Sequence, residues 1–191
     1  MKRILFLALA ALALSAMSAR AENTVVVMET SMGTIKIQLF DDKVPATVKN
    51  FLSYVDDKFF DDVIFHRVMG KENSTRDFMI QTGGYTSGMK EKKTKEPIKN
   101  EMSKDLSNTR GTVAMALKPG DRDSGTSQFY INLGDNSYLD KAGHSVFGKV
   151  IDGMDVVEKI KAVKTSGDRG RPVANKPLED VVIKSIRRDK K

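Results

Sequence analysis

With 191 residues, the chain is long enough for one domain with one buried core. It contains no cysteine, which excludes disulfides, thiolate metal sites and a cysteine nucleophile from these residues. The formal net charge is +7, of which Lys2, Arg3 and Arg20 supply three, and the charged run Lys90–Glu96 mixes both signs. This mild positive excess is typical of a solvated surface rather than of a nucleic-acid site.

The N-terminus has the three parts of a secretory signal. A basic start precedes the apolar segment Ile4–Ala16, and Ala19-Arg20-Ala21 is a small-x-small cleavage site. The apolar segment is shorter than a spanning helix requires, which disfavours the alternative of an uncleaved membrane anchor. We therefore expect a signal peptide over residues 1–21 and a mature domain over residues 22–191, periplasmic or secreted and not inserted into a membrane.

The first elements of the mature chain are a hairpin and a helix. Thr24–Thr30 and Thr34–Leu39 are strand-like and flank a short turn that contains Gly33, which predicts a β-hairpin. Pro45 then opens a helix. The apolar residues of that helix repeat at i, i+3, i+4 and i+7 and so form one face: Val48, Phe51, Leu52 and Val55.

The rest of the chain reads as short strands with one further helix. Strands are predicted over Val63–Val68, Phe78–Gln81, Thr112–Met115, Gln128–Leu133, Val146–Val150 and Val181–Ile186. A helix is predicted over Met154–Val163, and residues 83–108 form a long, polar, irregular stretch. Many short strands with no repeat and no linker indicate one closed or sandwiched all-β domain with attached helices.

The segment Phe65-His66-Arg67-Val68 places an imidazole and a cation among apolar groups. On local evidence, an edge-strand arginine that reaches solvent is the simpler interpretation of Arg67. His66 is a possible general base, but no serine or cysteine accompanies it as in a nucleophile site. His144 is the only other histidine, which is a weak signal for a metal site.

Six segments taken together resemble the cyclophilins, in order and with matching spacing: Phe65–Arg67, Phe78–Gln81, Asn100-Glu101, Asn108–Ala116, Ser127–Asn132 and Val146–Val150. The resemblance runs from about Val25 to near Ile186 and is strongest to the bacterial, exported branch. It implies a closed eight-stranded antiparallel β-barrel capped by two α-helices, and a peptidyl-prolyl cis-trans isomerase without cofactor or metal. The implied partners are proline-containing unfolded or flexible polypeptides, and we expect a monomer that binds no nucleic acid.

The resemblance also assigns the site. Arg67 would be the catalytic donor, and Gln81 would orient its guanidinium and bond the substrate backbone. The proline pocket would be formed by Phe78, Met79, Tyr130 and Leu139, the flanking backbone would be bound by Ala116, Leu117 and Gln128, and the rim would be bordered by Tyr138 and His144. Apart from this resemblance, the apolar members of the set are equally compatible with ordinary core packing.

The chain departs from the family pattern in four places. Residues 69–77 are longer than the usual turn by several residues, and Thr82 stands where glycine is common. Tyr130 replaces the usual phenylalanine, so that its hydroxyl needs a partner, and Tyr138 replaces the tryptophan of cyclosporin-sensitive members. The insertion favours one alternative to the isomerase, a cyclophilin-fold peptide-binding module or chaperone with weak catalysis. A further alternative, an unrelated β-domain that binds a ligand or nucleic acid, is disfavoured by the ordered motifs.

Overall fold

The computed structural model describes residues 23–71, 77–167 and 174–190, so the predicted signal peptide lies outside the described residues, as does most of the insertion at 69–77. The elements within these ranges are β1 Val25–Thr30, β2 Gly33–Leu39, α1 Pro45–Asp56, β3 Val63–Ile64, β4 Arg67–Met69, β5 Met79–Thr82, β6 Tyr85–Thr86, β7 Lys90–Glu91, β8 Thr112–Met115, β9 Phe129–Asn132, α2 Tyr138–Ala142, β10 Val146–Asp152, α3 Met154–Lys161 and β11 Val182–Arg188. A 3₁₀ turn covers Ser87–Met89. None of the helices in these ranges has the length and apolarity of a membrane span.

The predicted hairpin and both predicted helices are confirmed. β1 and β2 pair antiparallel in continuous register, from Val25 opposite Gln38 to Thr30 opposite Gly33. The second arm alternates between buried and less buried positions, as the period-2 pattern requires. The helix predicted over Met154–Val163 is α3, which ends two residues earlier and buries Val156, Val157 and Ile160.

Helix α1 begins at Pro45 but has no side-chain cap of its own, because its N-cap residue is Val44. The cap comes from Glu101 in the long irregular stretch, whose carboxylate accepts from the backbone of Ala46 at 3.2 Å and of Thr47 at 2.8 Å. A carboxylate at this end satisfies otherwise unpaired N–H groups and complements the helix dipole. Glu101 thereby fixes the irregular stretch to the domain.

The strands form one antiparallel sheet in the order β4-β5-β9-β8-β10-β2-β1-β11-β3-β6-β7. The expected closed eight-stranded barrel is therefore wrong: the sheet is an open, curled half-barrel of eleven strands with β4 and β7 at its edges. Within the described ranges, three α-helices accompany it rather than two, since α2 is additional.

The sheet stays open because the strand predicted over Val63–Val68 is broken at Phe65 and His66. Its halves pair with different neighbours, β3 with β11 and β6, and β4 with β5. The Phe65 N–H still follows the β3–β11 register and donates to the Val181 carbonyl, whereas the Val68 N–H on β4 donates to the Asn175 carbonyl. Across this break a side chain takes the place of a backbone ladder, because the buried Thr82 hydroxyl donates to the Ile64 carbonyl at 2.9 Å.

The edge group β4, β5, β9 and β8 has two different faces. One face packs into the main core through alternate residues of each strand: Val68, Ile80, Phe129, Ile131, Val113 and Met115. α1 covers this core with Phe51, whose ring lies 5.4 Å from that of Phe129. Because side chains alternate along a strand, the residues between these positions point to the other face.

Candidate active site

A row of four residues crosses the outer face of the edge group. Arg67 on β4 lies opposite Gln81 on β5, Gln81 lies opposite Tyr130 on β9, and Tyr130 lies opposite Ala114 on β8. Directly opposed residues of antiparallel strands project to the same side of the sheet. The register therefore brings a cation, an amide and an aromatic ring together, although 63 positions of sequence separate Arg67 from Tyr130.

These residues border an open cavity of about 600 Å³. Its lining includes nine of the eleven predicted site residues: Arg67, Phe78, Met79, Gln81, Ala116, Leu117, Tyr130, Leu139 and His144. The remaining two adjoin it, because Gln128 contacts Gln81 and Tyr138 stacks on Phe78. The structure thus brings the whole predicted set together, while the roles of its members remain predictions.

One wall of the cavity is apolar. Met79, Ala114, Tyr130 and Val146 form a buried cluster separate from the main core. Phe78, Ala116 and Leu139 are partly exposed and pack against this cluster. A concave apolar wall beside a few polar groups is the usual form of a small-ligand site.

A second wall of the cavity, the amide wall, adjoins the apolar one. The Gln81 side-chain nitrogen donates to Gln128 Oε1 at 2.9 Å, and the Ala116 N–H donates to the Gln128 carbonyl at 3.0 Å. Gln128 lies flat over Gly84, where a Cβ atom would come within 2.6 Å of its Nε2 atom. Any larger residue at position 84 would displace the Gln128 side chain, so glycine here leaves room for the amide wall.

The rim consists of helix α2 and the residues that follow it. Tyr138 is 42% exposed, and its ring stacks on Phe78 with a centroid separation of 6.2 Å. His144 Nδ1 lies 3.1 Å from the Met115 carbonyl oxygen, and its ring meets Tyr130 edge-on. Sequence reasoning missed the loop that completes the rim, Lys118–Arg122, because it contains no pattern beyond an ordinary Pro-Gly turn.

The hydroxyl that Tyr130 adds to the pocket is satisfied inside the protein. It donates to Asn108 Oδ1 at 2.8 Å, and burial raises the pKa of Tyr130 above its usual value. Asn108 Nδ2 in turn donates to Asp140 Oδ1 at 2.7 Å. Burial acts to raise the pKa of Asp140, but hydrogen bonds from Ser107 and Asn108 outweigh it and hold the pKa below its usual value.

His66 lies behind Arg67 and does not border the cavity. Its side chain is buried against Tyr85, with ring centroids 4.8 Å apart. Burial and the neighbouring charge of Arg67 lower the pKa of His66 to about 4. His66 is therefore neutral at physiological pH, and its position speaks against the general-base interpretation. In the part of the chain that the structure describes, no group of three His, Asp or Glu residues could hold a metal ion.

Comparison with known proteins gives the same family for sequence and fold. Residues 25–188 match the family model described as cyclophilin type peptidyl-prolyl cis-trans isomerase/CLD. The chain is 50% identical to a peptidyl-prolyl cis-trans isomerase of Acinetobacter baylyi, covering 86% of this chain and 87% of that protein. It is 49% identical to peptidyl-prolyl cis-trans isomerase B of Escherichia coli, covering 84% and 97%. The crystal structure of a Cryptosporidium parvum cyclophilin type isomerase, 24% identical, matches the fold with a TM-score of 0.72 over 88% of this chain and 99% of that one.

Proposed function

The chain belongs to the cyclophilin-type peptidyl-prolyl cis-trans isomerase family and is a peptidyl-prolyl cis-trans isomerase, and from this premise we propose that Arg67 is the group that catalyses the rotation. The substrate is an X–Pro bond in an unfolded or flexible polypeptide. No covalent bond is broken, so a nucleophile or a general base at His66 is not required.

The chemistry of the amide bond defines what the site must supply. Resonance makes rotation about the C–N bond cost about 18–20 kcal/mol, and X–Pro bonds exchange in tens to hundreds of seconds. Twisting the bond removes the resonance and leaves a lone pair on the proline nitrogen. A fixed donor directed at that nitrogen stabilises the twisted amide more than the planar one, and this difference is catalysis.

The observation that carries the proposal is the shared row of Arg67, Gln81 and Tyr130. It faces the donor toward the cavity that the apolar wall also borders. The apolar wall would hold the proline ring while the guanidinium meets its nitrogen. Because the Gln81 amide nitrogen is engaged by Gln128, the Gln81 carbonyl oxygen is the atom suited to orient Arg67.

The test is an NMR exchange measurement on an Ala-Ala-Pro-Phe peptide with purified residues 22–191. Accelerated exchange together with a peptide-dependent shift of the Arg67 Nε–H signal is the expected result. Peptide binding that leaves the Arg67 signal unchanged would overturn the assignment of the donor. Binding without accelerated exchange would instead favour the peptide-binding module with weak catalysis.

We further propose that the enzyme is exported, and that it acts as a monomer on polypeptides outside the cytoplasm. The support is the signal-like pattern of residues 1–21. Expression of the full chain in a Gram-negative host, followed by fractionation and N-terminal sequencing, should give a periplasmic protein that begins at Glu22. An intact N-terminus in the cytoplasmic fraction would contradict export.

A further inference from the structure

A group of buried asparagines lies directly behind the proline-pocket wall. Asn108, Asn132 and Asn136 each have 0% exposure. Asn108 precedes β8, Asn132 ends β9, and Asn136 precedes α2. An unpaired buried polar group costs about 1–3 kcal/mol, so most polar atoms of buried amides are paired. Asn136 Oδ1 is an exception within this group.

Every polar group of Asn108 has a partner. Its Oδ1 atom accepts from the Tyr130 hydroxyl at 2.8 Å and from Asn132 Nδ2 at 3.2 Å. Its Nδ2 atom donates to Asp140 Oδ1 at 2.7 Å and to the His144 carbonyl at 3.2 Å. Its backbone N–H also donates to Asp140 Oδ1, at 3.0 Å, and its carbonyl accepts from the Asn136 N–H at 2.8 Å.

Two of these partners, Tyr130 and Asp140, lie on elements that no backbone ladder joins. Tyr130, on β9, is the buried part of the apolar wall, and we call it the floor of the pocket. Asp140 is on α2 beside Leu139, which belongs to the partly exposed part of that wall. A third connection reaches Phe78, whose carbonyl accepts from Asn136 Nδ2 at 2.7 Å. Asn108 is thus the point at which the floor, the wall helix and the rim are joined.

We propose that Asn108 is a positioning residue for the proline pocket, one that fixes the floor at Tyr130 against the wall at α2 and thereby sets the affinity for the proline ring. The inference rests on the proposed function, since it takes this cavity as the proline site. Arg67 lies on β4 and is held by the ladder to β5, outside this network. Loss of Asn108 should therefore weaken peptide binding without changing the rate of rotation in the bound state.

The network also explains how a tyrosine can stand at this position of the pocket. A phenol with no partner would leave its hydroxyl either unpaired or pointed toward the proline ring. Asn108 draws the hydroxyl away from the cavity, so that the ring face remains apolar. The requirement for Asn108 should then be greatest when residue 130 carries a hydroxyl.

The experiment compares Asn108→Leu, Tyr130→Phe, the double variant and the natural sequence. Peptide Kd comes from NMR titration, and the exchange rate is measured at saturation. For Asn108→Leu we expect a Kd about tenfold higher, which corresponds to one lost buried hydrogen bond with an orphaned hydroxyl, and a saturated exchange rate within about twofold of normal. In the double variant the orphaned hydroxyl is gone, and Kd should recover to within about threefold of normal.

Thr30→Val is the matched control, because it removes a buried hydroxyl that donates to the Gly33 carbonyl in the distant hairpin turn. It should lower the midpoint of thermal unfolding without altering Kd. The proposal is overturned if Asn108→Leu changes Kd no more than Thr30→Val, or if the double variant binds no better than Asn108→Leu. Absence of catalysis in the natural sequence would instead overturn the proposed function.

If Asn108→Leu does not fold, Asp140→Ala tests the other end of the network, since Asp140 is only partly buried. It removes the bond that holds α2 to Asn108 and should raise Kd severalfold while the saturated rate stays constant. An unchanged Kd in Asp140→Ala would equally overturn the positioning role.

Discussion

The two faces of β4, β5, β9 and β8 share a backbone but differ in what holds them. The inner face is apolar except for the buried Thr82, and it joins a core that includes 22 buried residues from the rest of the described chain. The outer face mixes a small apolar cluster with Arg67, Gln81 and a hydrogen-bonded amide network. Neighbouring residues of one strand therefore have different environments: Ile80 packs in the core, whereas Gln81 forms a hydrogen bond at the site.

Because adjacent residues of a strand lie on different faces, one residue can contribute to stability and its neighbour to function. On the inner face, the free energy of unfolding depends on buried area and volume, and the chemical identity of an aliphatic residue matters little. On the outer face, a side chain matters through the direction of its donor or the shape of the wall. A substitution on one face should therefore change a quantity that a substitution on the other leaves constant.

The largest expected effect belongs to Arg67. Loss of one preorganised donor typically costs about 2.7–4 kcal/mol, so Arg67→Ala should lower kcat/KM for X–Pro exchange by about a hundred- to a thousandfold. Arg67→Lys should also lower kcat/KM substantially, because an ammonium cannot reproduce the planar guanidinium. The measurement is NMR exchange at several peptide concentrations.

Since Arg67 is partly exposed at the sheet edge, its removal should leave the free energy of unfolding nearly unchanged. Urea denaturation of the same samples provides this control. Normal exchange rates in a folded Arg67→Ala protein would show that the donor is another group.

The next effect concerns His66, which precedes Arg67 but is buried. Its pKa is about 4 in the folded protein and 6.5 unfolded, so between these values the unfolded chain binds the extra proton. The stability that follows from keeping His66 neutral is fully present above pH 6.5 and is lost as the pH falls toward 4, by up to about 3 kcal/mol.

His66→Leu cannot take up this proton, so its free energy of unfolding should fall less steeply between pH 6.5 and 4. Urea titrations of both proteins across this range measure the difference, in which contributions of unchanged carboxylates cancel. Parallel pH profiles would mean that His66 is solvated or that its proton uptake is not coupled to folding.

Much of the fold could be predicted because the longer elements carry clear patterns. The hairpin, α1, α3 and the strand over Thr112–Met115 follow from periodicity, Pro45 and turn residues. β6 and β7 have two residues each and cannot display a period. The open sheet could not be predicted either, because the break at Phe65 and His66 depends on which distant strands pair with β3 and β4.

The site could be predicted only through the resemblance. Locally, Arg67 looks like an edge arginine, and no pattern links it to Tyr130 across 63 positions; the strand register does so. The sequence shows Asn108 as part of a motif but does not indicate its role, since nothing in the pattern identifies the residue that accepts the hydrogen bond of the Tyr130 hydroxyl. The cap of α1 by Glu101 could not be predicted either, because Glu101 is 55 residues away from Ala46 and no sequence pattern links the two.

A smaller effect is expected at the rim of the outer face. Tyr138 stacks on Phe78 beside the cavity, at the position where the family resemblance places the tryptophan of cyclosporin-sensitive members. A phenol presents a smaller ring and places its hydroxyl elsewhere, which should cost roughly 1–3 kcal/mol of cyclosporin affinity. Tyr138→Trp should therefore bind cyclosporin about ten- to a hundredfold more tightly than the natural sequence.

The titration is read in the exchange assay, with Tyr138→Phe as the control for loss of the hydroxyl alone. Tyr138→Phe should gain no sensitivity, since it adds neither an indole N–H nor a wider ring. Tight inhibition of the natural sequence, or an equal response of all three proteins, would place Tyr138 outside the inhibitor's reach.

The smallest effect is expected within β5, where adjacent residues lie on the two faces of the sheet. Ile80 is fully buried on the inner face between Met79 and Gln81, which both line the cavity. Ile80→Val removes one methylene from the core and should lower the free energy of unfolding by about 0.5–1.5 kcal/mol. Because the outer face keeps its backbone and its side chains, kcat/KM per folded molecule should stay within about twofold.

Met79→Leu is the matched variant one residue earlier, where a volume-conserving change should cost less than about 1.5 kcal/mol of stability but reshape the proline wall. Urea denaturation and peptide exchange on both proteins should therefore separate the two effects, since Met79→Leu should lower exchange per folded molecule whereas Ile80→Val should lower only the free energy of unfolding. The separation is expected from strand alternation, since the two residues are adjacent in sequence but occupy opposite faces of the sheet. If Ile80→Val lowered kcat/KM per folded molecule by much more than about twofold, core packing and the site would be coupled through the strand. The proposed separation of stability and function between the two faces would then be wrong.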